Sequence, residues 1–191
     1  MTIASAPAKI ILFGEHFVIY NQPAILASIN KRIKIDSRIL LENKNTIRIE
    51  TNTLGKKIYP LSILKNTNQN SYSDFFYPII YILKKILQDF EKTNGIEIKI
   101  ESEIPYGIGL GSSAALSVAA VAAIYGLIKK NIKKNEILEL AIETEKIIHR
   151  NSSGADCVIS TYGGLIYYQK NSNVRQLKYN KKLNFIIINK A

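Results

Sequence analysis

Residues 104–115 read IPYGIGLGSSAA, and the fold turns on how this string is taken. Before it, residues 96–100 alternate as IEIKI, the pattern of a half-exposed strand. After it, an Ala-rich stretch from about Ser112 to Lys129 has the composition of a buried helix. The string is therefore a strand-to-helix turn. Gly107, Gly109 and Gly111 permit backbone conformations closed to other residues and let amides approach a ligand closely. A helix start presents unsatisfied N–H groups and a positive dipole end, which together suit a phosphate. No lysine follows the last glycine, so this is not a Walker A loop, and the spacing G-x-G-x-G is not the dinucleotide fingerprint. On the glycines alone, a tight turn capped by Ser112 or Ser113 is the commoner outcome. The uncharged run from Ile104 to Ile128 has the length of a membrane span, but Pro105 and the three glycines break its first third.

Working outward, Lys9–Phe13 is an apolar run closing on Gly14, and Lys31–Leu41 carries Ile33, Ile35 and Ile39, so both are expected as strands. Thr46–Glu50 alternates and ends at a turn over Asn52–Gly55. Lys65–Ser73 is a polar loop. From Asp74, a candidate N-cap, to about Phe90, apolar residues recur at helical spacing until Asn94-Gly95. Beyond the central helix, the pattern predicts a helix over Lys134–His149, a polar loop over Arg150–Gly154 and a short helix near Asp156–Ser160. Strands are expected at Leu165–Tyr168 and Asn184–Ile188. Strands and helices are mixed, with the early strands antiparallel, which makes the class α+β.

The chain has 191 residues and a net charge of +11, which favours an anionic partner without choosing one. Its one cysteine, Cys157, excludes an internal disulfide and fits a reducing, cytoplasmic setting. One thiol and two histidines exclude a structural zinc site of Cys/His type. The N-terminus lacks the pattern of a secretory leader.

Three segments together carry a resemblance. The string at 104–115 resembles the ATP-binding motif of the GHMP small-molecule kinases. Residues 5–20, SAPAKIILFGEHFVIY, resemble the N-terminal signature of the mevalonate kinase branch, and residues 143–164, ETEKIIHRNSSGADCVISTYGG, resemble its catalytic segment. The resemblance spans essentially the whole chain. It implies the GHMP N-terminal fold, of ribosomal-protein-like two-layer type with a left-handed β-α-β unit, over residues 1–191. It also implies that the family's C-terminal ferredoxin-like domain is missing from this sequence.

The resemblance further implies an activity: transfer of the γ-phosphoryl of ATP to mevalonate, with Mg²⁺, in isoprenoid precursor synthesis. Such chemistry needs an in-line hydroxyl, a proton acceptor and neutralised phosphate charge. By motif position, Asp156 is the catalytic base and Lys9 the cation beside it, able to stabilise the developing alkoxide or the phosphoryl group. Pro105, Gly107, Gly109, Leu110, Gly111, Ser112, Ser113 and Ala114 would bind ATP. Ser113 and Glu145 would hold Mg²⁺, an ion that seldom requires a full protein cage. Glu143 and Glu145 are two apart, so only one can face inward. Glu15 and His16 lie at the acceptor end, with a structural Glu-His hydrogen bond as the plainer reading. Ser153 and Gly154, with Ser152, shape the loop presenting Asp156. His149 serves orientation as readily as chemistry, and Cys157 is a small buried residue rather than a nucleophile.

Two positions depart from the family pattern: Ala8 stands where a glycine usually precedes the lysine, and Arg150 where a glycine often follows the histidine. Three other readings remain. Another GHMP kinase would act on a different alcohol. A non-catalytic ATP-binding half would bind nucleotide without turnover. An RNA-binding module would need a basic face with interleaved aromatics, whereas the lysines here are dispersed in short pairs. The expected partners are thus ATP and mevalonate, with no nucleic acid or membrane. A second copy of this chain or a complementary C-terminal chain stays open as a protein partner.

Overall fold

The computed structural model describes residues 1–42, 45–65, 74–87, 94–105, 107–128, 131–149, 152–172, 174–180 and 183–188. Seven strands form one mixed sheet: β1 (Thr2–Phe13), β2 (Ala24–Leu40), β3 (Thr46–Thr51), β4 (Gly55–Pro60), β5 (Gly95–Ser102), β6 (Leu165–Tyr168) and β7 (Arg175–Gln176). Four helices accompany it: α1 (Tyr77–Ile86), α2 (Ser112–Ile128), α3 (Lys134–Ile148) and α4 (Ala155–Tyr162). The order is β4-β3-β5-β2-β6-β7, with β1 on the other edge of β2, and among the described residues only the β3–β5 pair is parallel. The α+β expectation holds.

β2 is the hinge of the sheet. One edge carries β1, while the other carries β5 along Ile33–Leu40 and β6 along Ala24–Ala27. Neither β5 nor β6 pairs with Ser28–Arg32; the segment after β5 leaves from that gap and the Gly163-Gly164 turn enters β6 beside it. The segment after β5 enters with the Glu103 N–H on Arg32 O at 2.9 Å, and Gly164 O accepts Ser28 N–H at 2.9 Å.

The main core lies between the sheet and the helices. Ile35, Ile47, Ile49, Ile96 and Ile98 face Ile79, Ile82, Leu83, Val121 and Ile124. Ala6 and Ala8 of β1 are fully buried among the alanines of α2, so helix and strand pack closely. At Gly126 a Cβ would stand 2.3 Å from Thr2 Cγ2, which leaves room for glycine alone. α2 is apolar on all sides because it sits between sheet and helices, as its composition predicted. A smaller core gathers Val18, Leu26, Val158, Ile159 and Ile166 around α4.

The opposite sheet face is laced with charge. Lys56, Glu50, Lys99 and Asp36 alternate in register across β4, β3, β5 and β2. In the next row, the Glu97 carboxylate takes Arg48 Nη1 at 3.0 Å and Arg38 Nε at 2.5 Å. Lys34 meets Glu101 at 3.1 Å.

Several expectations change. β5 was expected to be half exposed, yet Glu97 is only 2% exposed because the strand is central and two arginines cover its carboxylate. β1 and β2 both begin earlier than their apolar runs, since their ladder reaches back to Thr2 on one strand and Ile25 on the other. β4 and β7 lacked a legible pattern. Residues 184–188 form no strand: they pair with no described strand, and Ile186 and Ile188 stand in solvent. Asp74 caps the turn before α1 rather than the helix itself, accepting the Phe76 N–H at 3.0 Å. The polar loop over 66–73, the helix end near Phe90, and Lys129 and Arg150 lie outside the described residues.

Candidate active site

β5 hands the chain to the glycine loop through Ser102, whose Oγ accepts the Ile104 N–H at 3.1 Å. Gly107, Gly109 and Gly111 all have positive φ, at 78°, 76° and 71°. Between them Leu110 plugs into the core, and its carbonyl accepts the Lys9 N–H at 3.0 Å. The loop is thereby tied to β1 at the lysine singled out in the sequence.

Lys9 is buried, and its Nζ lies 3.3 Å from Asp156 Oδ1. Asp156 stands in the first turn of α4, where a carboxylate is favoured by the helix dipole. Gly111 roofs the pair: a Cβ there would come within 2.8 Å of Lys9 Cγ and 3.5 Å of Asp156 Oδ2. Positive φ and close approach thus both demand glycine at this point.

At the second residue of α2, Ser113 Oγ donates to Glu145 Oε1 at 2.5 Å. Ser117 Oγ donates to the same oxygen at 3.2 Å. Glu145 is 4% exposed, and burial pushes its carboxyl up despite the two hydroxyls and the nearby His149. The charge of Asp156 raises it further. Glu143 faces outward to Lys85 and Tyr81, so Glu145 is the inward member of the pair.

This donor set fits a small divalent cation. It offers one buried carboxylate in need of positive charge and one hydroxyl oxygen beside it, with Asp156 near enough to be felt. Among the described residues no cluster of three or more His, Cys, Asp or Glu could cage a metal alone. That leaves coordination positions for phosphate and water, as Mg²⁺ prefers.

Residues 77–164 match the family described as GHMP kinases N terminal domain. The mevalonate kinase of Pyrococcus furiosus is 39% identical over 174 residues, covering 88% of this chain and 52% of that protein. The crystal structure of the Methanococcus jannaschii mevalonate kinase superposes with a TM-score of 0.81 at 33% identity, covering 93% of this chain and 56% of that one.

The chain carries a GHMP kinase N-terminal domain. It spans about half the length of the curated relatives it matches. Lactococcus lactis galactokinase, at 22% identity and a TM-score of 0.76 over 91% of this chain and 46% of its own, shares the fold.

Beside the glycine loop lies a cleft of about 470 Å³. Ile33, Leu54, Phe75, Ile100, Ile104 and Leu116 make it apolar; Thr51, Thr53, Ser102, Glu103, Pro105 and Ser112 also line it. Because Ser112 opens α2 and also lines the cleft, the cleft and the glycine loop are continuous.

The acceptor end is less assembled. Glu15 and His16 are exposed on the turn after β1, His16 at a φ of 65°. Among the described residues neither side chain forms a hydrogen bond, with the other or with Lys9 or Asp156, so the expected Glu-His bond is absent. Ser153 and Gly154 do shape the approach to Asp156. Ser153 Oγ accepts the Ala155 N–H at 3.3 Å, and the Ser153 carbonyl accepts the Tyr168 hydroxyl at 2.5 Å. Cys157 is fully buried, and burial pushes its thiol far up, as befits a packing residue.

Sequence reasoning missed Ser117 and Tyr168. Ser117 carried one signal, its position four residues after Ser113 on the same helical face. Tyr168 carried none, because its partner is a backbone carbonyl. Among the described residues, no helix is long and apolar enough to cross a membrane.

Proposed function

We propose that residues 1–191 are the ATP- and acceptor-binding half of a cytoplasmic kinase that phosphorylates the primary hydroxyl of mevalonate, giving 5-phosphomevalonate for isoprenoid precursor synthesis. The observation that carries this is the Lys9–Asp156 pair at 3.3 Å beneath Gly111. It sets a carboxylate and an ammonium at the mouth of a phosphate loop, where an attacking alcohol and a γ-phosphoryl would meet. The nucleotide base takes the apolar cleft, and the glycine-loop amides with the α2 N-terminus cradle the phosphates.

In the reaction, Asp156 accepts the hydroxyl proton as the alcohol oxygen bonds to the γ-phosphorus and the bond to the β-phosphate oxygen breaks, releasing ADP. Lys9 stabilises the negative charge building on the reacting oxygens, its ammonium 3.3 Å from Asp156 and its backbone N–H bonded to Leu110 O of the loop. Glu145 and Ser113 would hold Mg²⁺, which would neutralise the nucleotide's phosphate oxygens. Glu15 and His16, with Ser153 and Gly154, would receive the acceptor. The alternating charge on the open sheet face supports a small-molecule role over a nucleic-acid one, because it offers no continuous basic track.

Mevalonate-dependent ADP release, followed by a coupled assay, tests the proposal. Turnover requires mevalonate, and Asp156→Asn lowers kcat by about a thousandfold or more with ATP binding retained. An alternative follows from the exposed, unbonded Glu15 and His16: a half-domain that binds nucleotide without catalysis. Mg-ATP binding with no turnover under any acceptor selects that reading.

A further inference from the structure

β1 and β2 pair regularly from Thr2↔Ser37 to Pro7↔Arg32, and then the register jumps to Ala8↔Ile29. Asn30 and Lys31 are left without partners on β1, so the ladder is broken between Pro7 and Ala8. Both residues are buried there, and a buried carbonyl at a break needs a donor from outside the ladder. Ser160 of α4 supplies it: the Ser160 hydroxyl, 3% exposed, donates to Pro7 O at 3.0 Å.

Ser160 lies one turn after Asp156, so both project from the same face of α4 toward β1. Two residues of that face therefore meet β1 two positions apart: Asp156 at the Lys9 ammonium and Ser160 at the Pro7 carbonyl. The ion pair alone is a soft restraint, since a lysine side chain follows a moving carboxylate. The hydroxyl-to-carbonyl bond acts on backbone and fixes where the helix sits along the strand. We infer that Ser160 is a positioning residue of the kinase, clamping α4 to the broken ladder of β1 and so setting the approach of Asp156 to Lys9. The inference rests on the proposed catalytic role of that pair.

Ser37 provides the control. Its hydroxyl is equally buried and donates to Ala123 O at 2.8 Å, on the same sheet and against a helix, but away from the glycine loop. Steady-state kinetics in the complete kinase, with thermal melts on the same samples, compare Ser160→Ala, Ser160→Thr, Ser37→Ala and Asp156→Asn. Both alanine variants lower Tm, because each removes a buried hydroxyl-to-carbonyl hydrogen bond. Ser160→Ala lowers kcat by about tenfold or more with KM for ATP and acceptor within about twofold, the signature of misplaced reacting groups. Ser160→Thr, which keeps the donor, retains kcat within about threefold. Ser37→Ala keeps wild-type kcat. The clamp is refuted if Ser160→Ala turns over like wild type while Asp156→Asn is dead, or if Ser37→Ala loses as much kcat as Ser160→Ala. An active Asp156→Asn instead removes the catalytic reading of the pair, and the role of Ser160 falls with it.

Discussion

Glu145 is a buried carboxylate with hydroxyl partners and, among the described residues, no ammonium or guanidinium at ion-pairing distance. Burial raises its carboxyl, so the native state holds this proton more tightly than the unfolded chain does. Stability from this group is therefore greatest below the unfolded carboxylate pKa of about 4.3 and declines as pH rises through the raised folded value. Glu145→Gln keeps an oxygen for Ser113 and Ser117 while removing the charge. In metal-free buffer at pH 7 it melts higher than wild type, and the gap closes toward pH 4. Isothermal titration with ATP shows the opposite face of the same change: Mg²⁺ tightens binding to wild type and has little effect on the variant. At the other residue under the loop, Gly111→Ala forces a Cβ against Lys9 at a positive φ. It lowers Mg-ATP affinity by about tenfold or more in the same titration.

The site residues found in the sequence are those that the resemblance to the GHMP kinase motifs marks, each a rare type at its place in the chain. Lys9 stands out as a charge in an apolar strand, Asp156 as an acid after Ser-Ser-Gly, and Glu145 as one of two acids that cannot share a face. Ser117, Ser160 and Tyr168 were not legible in that way. Each acts by donating a hydroxyl to a partner distant in sequence, and neither serine nor tyrosine announces its acceptor. The acceptor of Ser160 exists only because the ladder breaks at Pro7, and that break is a property of how two strands pair.

Among the elements, β5 shows how a strand's place in a sheet overrides its pattern. IEIKI alternates like a surface strand, yet between β2 and β3 its polar face is covered by neighbours as well as water. Burial alone would raise the Glu97 carboxyl, but the bonds from Arg48 and Arg38 outweigh it and hold it below the ordinary carboxylate range. A depressed folded pKa means stability present above the unfolded value and lost as pH falls through the folded one. Glu97→Gln should destabilise by about 2 kcal/mol at pH 7 in urea melts, below the full cost of an orphaned buried charge because both arginines reach solvent. Its acid limb below about pH 4 is flatter than that of wild type. The same logic explains residues 184–188: an apolar, β-branched run satisfies every local preference for a strand, but a strand is a relation between two segments, and no described segment pairs with this one.

At the scale of the whole molecule, the loop, the cleft, Lys9, Asp156, Glu145 and Ser113 all belong to this chain, and all but the loop tips are anchored in its main core or against α4. The net charge of +11 bears on this seat through few of its members: among the described residues Lys34, Arg38 and Arg48 are paired on the open sheet face, and Lys9 is the buried cation at the glycine loop. Binding of Mg-ATP should thus depend on placed groups more than on the overall field, and should survive at 150 mM salt. A ligand that binds only the native state stabilises it by about 2.7 kcal/mol at a hundred times Kd. For a chain of this size that is a rise in Tm of about 5–10 °C. Mevalonate alone, meeting an acceptor end whose Glu15 and His16 are exposed and unbonded, gives a much smaller shift. Thermal melts of the chain with Mg-ATP, ATP plus a chelator, and mevalonate separate these contributions. A Tm unmoved by saturating Mg-ATP would mean that the glycine loop is only a turn, whereas a shift that vanishes in Glu145→Gln and in chelator ties the nucleotide seat to the buried carboxylate on α3.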